Sequence, residues 1–369
     1  MQDSWISDRM QHIEVSGIRK VFELGRSLKD PVNLSIGQPH FDVPEPIRRA
    51  AHDAIESRKN GYTVTQGIAE LQDKLKHYVA RQYPGQERQV VTTSGTSGGL
   101  LLAMAVLVNP GDEVILFDPY FVSYPHLVRM FGGIPVIVDT YPDFQIDLNR
   151  LEAAITPKTK AIVFSSPANP TGVTLAPEVI RGMVEIAGKR GIAVVSDEIY
   201  RTFAYDGPHR SAAEFSPDVL VVDGFGKSYG MTGWRLGFAH GPARLIAEMT
   251  KLQQFTFVCA PSIVQYAGSA AWDYDTTAIV ADYRAKRDRL CRALEGRFRF
   301  AVPGGAFYLY PEVPEGTATE FVARAIDNNL LVIPGNVFSR KDTHFRISFA
   351  ASDEMLDRGI RILTEMTGG

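Results

Sequence analysis

A chain of 369 residues with 45% apolar content exceeds the usual size of one hydrophobic core and predicts two well-packed globular domains. A net charge of −3 without a long block of like charge excludes a nucleic-acid footprint, and two distant cysteines, Cys259 and Cys291, exclude a disulfide framework. Eight scattered histidines show no metal-ligand spacing and no apolar run is long enough to span a bilayer, so the expectation is a cytoplasmic protein with no metal site and no membrane partner.

Asp3, Asp8 and Arg9 open the chain in place of an apolar leader, which predicts no signal peptide. An extended segment follows through Leu34, Ser35, Ile36, Gly37 and Pro39. Val90 to Thr93 reads as a strand, Leu100 to Val108 as a helix, and Ser94, Gly95, Thr96 and Ser97 lie between them. From about residue 90 to 240 short apolar runs alternate with longer amphipathic ones, the signature of a largely parallel sheet in an α/β domain. Glu113 to Phe117, Ala161 to Phe164, Ala193 to Ser196 and Val219 to Val222 are its buried strands, rich in Val, Ile and Leu with little polar alternation. Past these comes an amphipathic helix from Asp282 to Glu295, then Gly304, Gly305 and the strand-like Ala306 to Tyr310, which suggest a smaller α+β unit. The division expected is an N-terminal segment 1–45 packing with that unit, a large domain 46–280, and a small domain 281–369.

Phe121, Asn169, Asp197 and Lys227 all fall at or beyond the carboxyl ends of predicted strands, where open α/β sheets place their ligands. A lysine that forms an imine must first lose its proton, and burial together with a nearby cation, Arg235, favours the neutral amine. Gly224, Gly226 and Gly230 around Lys227 let the backbone approach a ring closely. Asp197, at a buried strand end, needs a cation, and a protonated pyridine nitrogen is one; without Lys227, a helix N-cap over Glu198 to Tyr200 would be the lesser alternative. Tyr200 and the Asn169 amide are placed to reach an oxygen on that ring, and Phe121 to stack on it, or else simply to fill the core. Gly95, Thr96 and Ser97 at a helix start make a phosphate cradle. Each piece is weak alone, but in this order they supply the contacts needed by one phosphorylated, aldehyde-bearing pyridine, pyridoxal phosphate.

With those residues in place, the chain resembles the class I/II aminotransferases of pyridoxal phosphate fold type I, the aspartate aminotransferase superfamily, over nearly its whole length. The motifs stand as Ser35 to Pro39, Gly61 with Tyr62, Asn169 to Gly172, Asp197 to Tyr200, Lys227 to Gly237, and Phe345 to Ser348. The resemblance implies an α/β large domain with a mainly parallel seven-stranded sheet flanked by helices, and a small α+β domain built from both termini. It implies that Lys227 is the Schiff-base lysine and later the proton shuttle, that Asp197 pairs with the ring nitrogen, and that Asn169 and Tyr200 contact the ring oxygen. Phe121 would stack, and Gly95, Thr96, Ser97 and Arg235 would hold the phosphate. Tyr62 would reach the phosphate of a neighbouring copy, making a homodimer, while Arg346, helped by Gly37, would clamp the α-carboxylate of the amino acid or 2-oxo acid.

The chain departs from the family at Gly224 and Gly226, where many members carry serines that touch the phosphate. Aspartate-specific bacterial relatives often carry a lysine at the Ser97 position, so no strict preference for aspartate is expected. Ile18, in a segment that overlies the substrate in relatives, hints at an apolar side-chain pocket. Two other readings remain open: a carbon–sulfur β-lyase on the same fold, and, more distantly, a serine hydrolase with Ser97 in a Gly95-x-Ser97-x-Gly99 elbow followed by Asp197 and His344.

Overall fold

The computed structural model describes residues 5–15, 17, 21, 23 and 28–368; Asp3 and Ile18 lie outside them. Seven strands form the central sheet: β2 (Arg88–Ser94), β3 (Glu113–Asp118), β4 (Ile134–Asp139), β5 (Thr159–Ser165), β6 (Ala193–Asp197), β7 (Val219–Gly224) and β8 (Leu236–Pro242). Their order is β2-β8-β7-β6-β5-β3-β4, and only β8 runs against its neighbours. The fold is thus α/β with a mainly parallel seven-stranded sheet.

The strands read as unbroken apolar runs because both faces are covered. Val114 and Leu116 of β3 enter one core with Val195, Leu220 and Val222, whereas Ile115 and Phe117 enter the other with Ile162, Val194 and Val221. Strands extend beyond the apolar runs: β3, β5, β6 and β7 end on Asp118, Ser165, Asp197 and Gly224. These residues are not apolar, yet the ladder continues through them, pairing Ser165 with Asp197 and Asp197 with Val222. The helix expected at Leu100 begins at Gly95, with φ +71 there, a backbone that favours glycine.

The expected helix at Asp282 starts earlier, spanning Thr277–Leu294, because Ala278, Ile279 and Val280 continue its pattern. The strand expected over Ala306 to Tyr310 is only β9 (Tyr308–Leu309), which pairs with β12 (Phe345–Ser348). At the other end of the chain, β1 (Val32–Asn33) pairs in parallel with β10 (Leu330–Leu331), and the Ser348 N–H donates to the Leu34 carbonyl. The extended segment leading to Gly37 is therefore tied to residues three hundred positions away. No helix among the described residues is long and apolar enough to cross a membrane.

Candidate active site

A cavity of about 280 Å³ opens at the carboxyl ends of β5, β6 and β7, lined by every predicted site residue except Tyr62. Lys227 enters it three residues after β7, and its Nζ donates to the Gly37 carbonyl at 2.5 Å. Burial, then the Arg346 and Arg235 charges, lower its pKa to about 8. Gly37 is required there: a Cβ would stand 2.3 Å from the Tyr308 hydroxyl.

Asp197, 3% exposed, accepts from the Tyr124 hydroxyl at 2.8 Å and from the Ile199 N–H at 3.2 Å. Burial outweighs these bonds and raises its pKa to about 6. It forms no ion pair among the described residues, so its donors there are the neutral Tyr124 hydroxyl and Ile199 N–H. Tyr200 shares a hydrogen bond with Tyr308, hydroxyl to hydroxyl at 2.8 Å. The Asn169 side-chain oxygen accepts from Arg346 Nη1 at 3.0 Å, which leaves its amide N–H groups as donors.

Arg346, 1% exposed, also donates from Nη2 to the Ser35 carbonyl at 2.6 Å and lies between the Tyr308 and Phe338 rings, 4.6 and 4.7 Å from their centroids. No carboxylate pairs with it among the described residues, and its Nε has no partner. Arg235 has the left-handed φ of +58, and its Nη1 donates to the Thr232 carbonyl at 2.8 Å. Its Nη2 lies 3.5 Å from Ser97 Oγ and so near Gly95 that a Cβ there would be 2.7 Å away. A guanidinium is thereby held over the start of a helix whose Thr96 hydroxyl is buried without a partner. Phe121 flanks the cavity, edge-on to Tyr124 with centroids 5.5 Å apart.

These features fit pyridoxal phosphate: an unpaired buried carboxylate for a ring cation, a largely deprotonatable amine for an aldehyde, and an orphaned hydroxyl beside a cation and helix N-terminus for a phosphate. Tyr62 is elsewhere, 86% exposed. The hydrolase pattern is not assembled, which corrects that reading. His344 stacks on Tyr310 with its Nδ1 at Thr343 Oγ1, and among the described residues Ser97 Oγ meets only Arg235. Tyr124, Tyr308 and Phe338 were missed by the sequence reading, although Tyr124 follows Phe121 by three residues and its N–H donates to the Phe121 carbonyl at 3.0 Å.

Fold and cavity define a pyridoxal phosphate enzyme built on an open α/β sheet. The family model for class I and II aminotransferases matches residues 29–363, and the chain belongs to that family. It is 35% identical to a probable aspartate aminotransferase of Methanocaldococcus jannaschii, covering 98% of this chain and 99% of that one. It is also 35% identical to a putative aminotransferase of Bacillus subtilis, over 97% of each. The solved aspartate aminotransferase of Thermus thermophilus with maleate superposes with a TM-score of 0.93 at 33% identity, over 99% of this chain and 100% of that one. The protein is accordingly an enzyme that transfers amino groups and depends on pyridoxal phosphate.

Proposed function

We propose that the chain moves an amino group from an L-amino acid to a 2-oxo acid by a ping-pong sequence, with Lys227 as the reacting amine. The observation that carries this is the Lys227 Nζ itself, buried on the Gly37 carbonyl between Asp197 and two arginines and lowered to a pKa of about 8. When bound, the cofactor supplies an aldehyde and a ring that withdraws electrons from the substrate α-carbon. Lys227 would hold the aldehyde and, as a free amine, would carry a proton away from the substrate α-carbon.

Asp197 would keep the ring nitrogen charged, and Asn169 and Tyr200 would donate to the ring oxygen. Phe121 would cover one ring face, while Gly95, Thr96, Ser97 and Arg235 would hold the phosphate. Arg346, already oriented by Asn169 and Ser35, receives the α-carboxylate beside Gly37. Tyr62 completes the phosphate site of a second copy, so the working unit is a homodimer; its high exposure in the single chain supports this. The cofactor domain comprises residues 46–280, with 1–45 and 281–369 forming the second unit, a reading supported by the pairing of β1 with β10. Two unpaired cysteines support a cytoplasmic enzyme.

The test is the visible absorption spectrum of the holoenzyme during titration with a panel of amino acids and no 2-oxo acid. Bleaching that yields one 2-oxo acid per site and reverses on adding a different 2-oxo acid supports the proposal. Catalytic release of ammonia would instead make the enzyme a β-lyase. A spectrum indifferent to every amino acid would overturn both.

A further inference from the structure

Three buried glutamines from three different helices converge on one surface loop. Gln72 lies on the helix Ala69–Gln82, Gln253 ends the helix Ala243–Gln253, and Gln265 lies on the helix Ser262–Trp272; none is more than 4% exposed. Their amides grip residues 63–68. Gln253 Nε2 donates to the Thr65 carbonyl at 2.8 Å and to the Thr92 carbonyl at 3.0 Å. Gln265 donates to Thr63 Oγ1 at 3.1 Å and accepts from the Ile68 N–H at 2.8 Å. Gln72 donates to the Gln66 carbonyl, which also accepts from the Thr92 N–H at 2.9 Å.

Three buried amides are unfavourable unless they hold something. What they hold ends in two apolar side chains turned to solvent, Tyr62 and Val64, 86% and 66% exposed. Gln253 also leads into a second exposed apolar stretch, Phe255, Phe257 and Val258, and the Phe257 ring reaches to 3.7 Å of a Cβ built at Gly98, on the first turns of the phosphate-cradle helix. A loop pinned at its base and apolar at its tip has its ordering entropy lost before any partner arrives, which is the condition for a tight contact through few atoms.

We infer that Gln72, Gln253 and Gln265 form an amide clamp that pre-orders residues 63–68 and so delivers Tyr62 to the cofactor phosphate of a second copy of this chain. This rests on the homodimer proposed above. The glutamines are positioning residues; they touch neither cofactor nor substrate.

The experiment measures the dissociation constant of pyridoxal phosphate for the full-length protein carrying Tyr62→Phe, Gln253→Met with Gln265→Met, or all three. Losing a hydrogen bond to a charged group predicts retention weakened on the order of tenfold by Tyr62→Phe, and a similar loss from the paired Met variant. Acting through Tyr62, the two changes combine with no further loss, whereas a merely structural role gives additive losses and overturns the clamp. Unchanged retention in the Met variant, with Tyr62→Phe impaired, overturns the clamp alone. A Tyr62→Phe protein that binds cofactor normally removes the shared site and the clamp together. Should the Met variant fail to fold, hydrogen exchange on the wild-type protein decides. The clamp requires the Gly67 and Ile68 amides to be protected like the adjoining helix, and exchange at free-loop rates refutes it.

Discussion

Replacing Asp197 by Asn should make the cofactor-free protein more stable and the enzyme far less active. The carboxyl is buried and its pKa stands at about 6 against an ordinary 3.8. Holding it ionised above pH 6 therefore costs roughly two pH units, about 3 kcal/mol. Asn removes that cost but weakens one of the bonds from Tyr124 and Ile199, worth about 1 kcal/mol, leaving a net gain of about 2 kcal/mol. At roughly 2.1 cal/mol/K per residue, unfolding a chain of this length has an entropy near 0.8 kcal/mol/K, so melting rises by about 2–3 °C. Because the folded pKa lies above the unfolded one, the native state holds the extra proton between about pH 4 and 6, and wild-type stability falls as pH rises through that window. The melting gap between variant and wild type should accordingly open from about pH 4 to 6 and stay constant above. Calorimetry on cofactor-stripped proteins reads it. A gap that is flat across this range, or an Asn protein melting below wild type at neutral pH, refutes the reasoning. With cofactor bound the order reverses, and turnover falls by on the order of a hundredfold or more.

Lys227→Ala should leave the circular dichroism spectrum intact while abolishing the lysine-linked visible band and turnover; appreciable aminotransfer by that variant would remove Lys227 from its role. Arg346→Lys keeps the charge but loses the fork and its seat between Tyr308 and Phe338, so KM for α-carboxylates should rise on the order of tenfold with a smaller change in kcat, and an unaltered KM would place the carboxylate elsewhere. Gly226→Ser should fit, since its Cβ meets nothing closer than Thr232 Cα at 3.4 Å, and should slow cofactor loss. Gly224→Ser should destabilise, its Cβ falling 2.6 Å from Thr96 Oγ1; equal melting temperatures for the two serine variants would contradict the packing argument.

The sheet was legible because its strands are buried on both faces, which writes continuous Val, Ile and Leu runs into the sequence. Their ends were read short because Asp118, Ser165, Asp197 and Gly224 break the apolar pattern without breaking the ladder. Lys227, Asp197, Asn169 and Arg235 stand out in the sequence because their types and order are chemically unusual, and the fold brings all four to one cavity. Tyr124 and Tyr308 were not: each acts through a partner far along the chain, 73 residues to Asp197 and 108 to Tyr200, and only the fold brings those hydroxyls together. The elbow around Ser97 shows the converse. A local pattern matched, yet His344 is committed to the Tyr310 ring, a placement no spacing encodes. Tyr62 carries no signal of its own beyond the family resemblance.

Burial holds the reacting groups of the cavity in their unfavourable states, and the two opposed charges coexist mainly between about pH 6 and 8, where Asp197 is ionised and Lys227 still protonated. Lys227 must be neutral to capture an aldehyde, so the rate at which stripped enzyme takes up pyridoxal phosphate should climb with pH and level off near pH 8, rather than near 10.5 as for an ordinary lysine. Burial is the largest cause of that lowering and the Arg346 charge the next. Arg346→Lys, which keeps a cation in place, should leave the plateau where it is, and Arg346→Gln should move it upward by only part of the way, because burial remains. A rate that keeps climbing to pH 10 in the wild-type protein would mean that Lys227 is solvated, and that the strand end does not activate it. A plateau restored to 10.5 by Arg346→Gln alone would mean that charge, not burial, makes this amine a nucleophile.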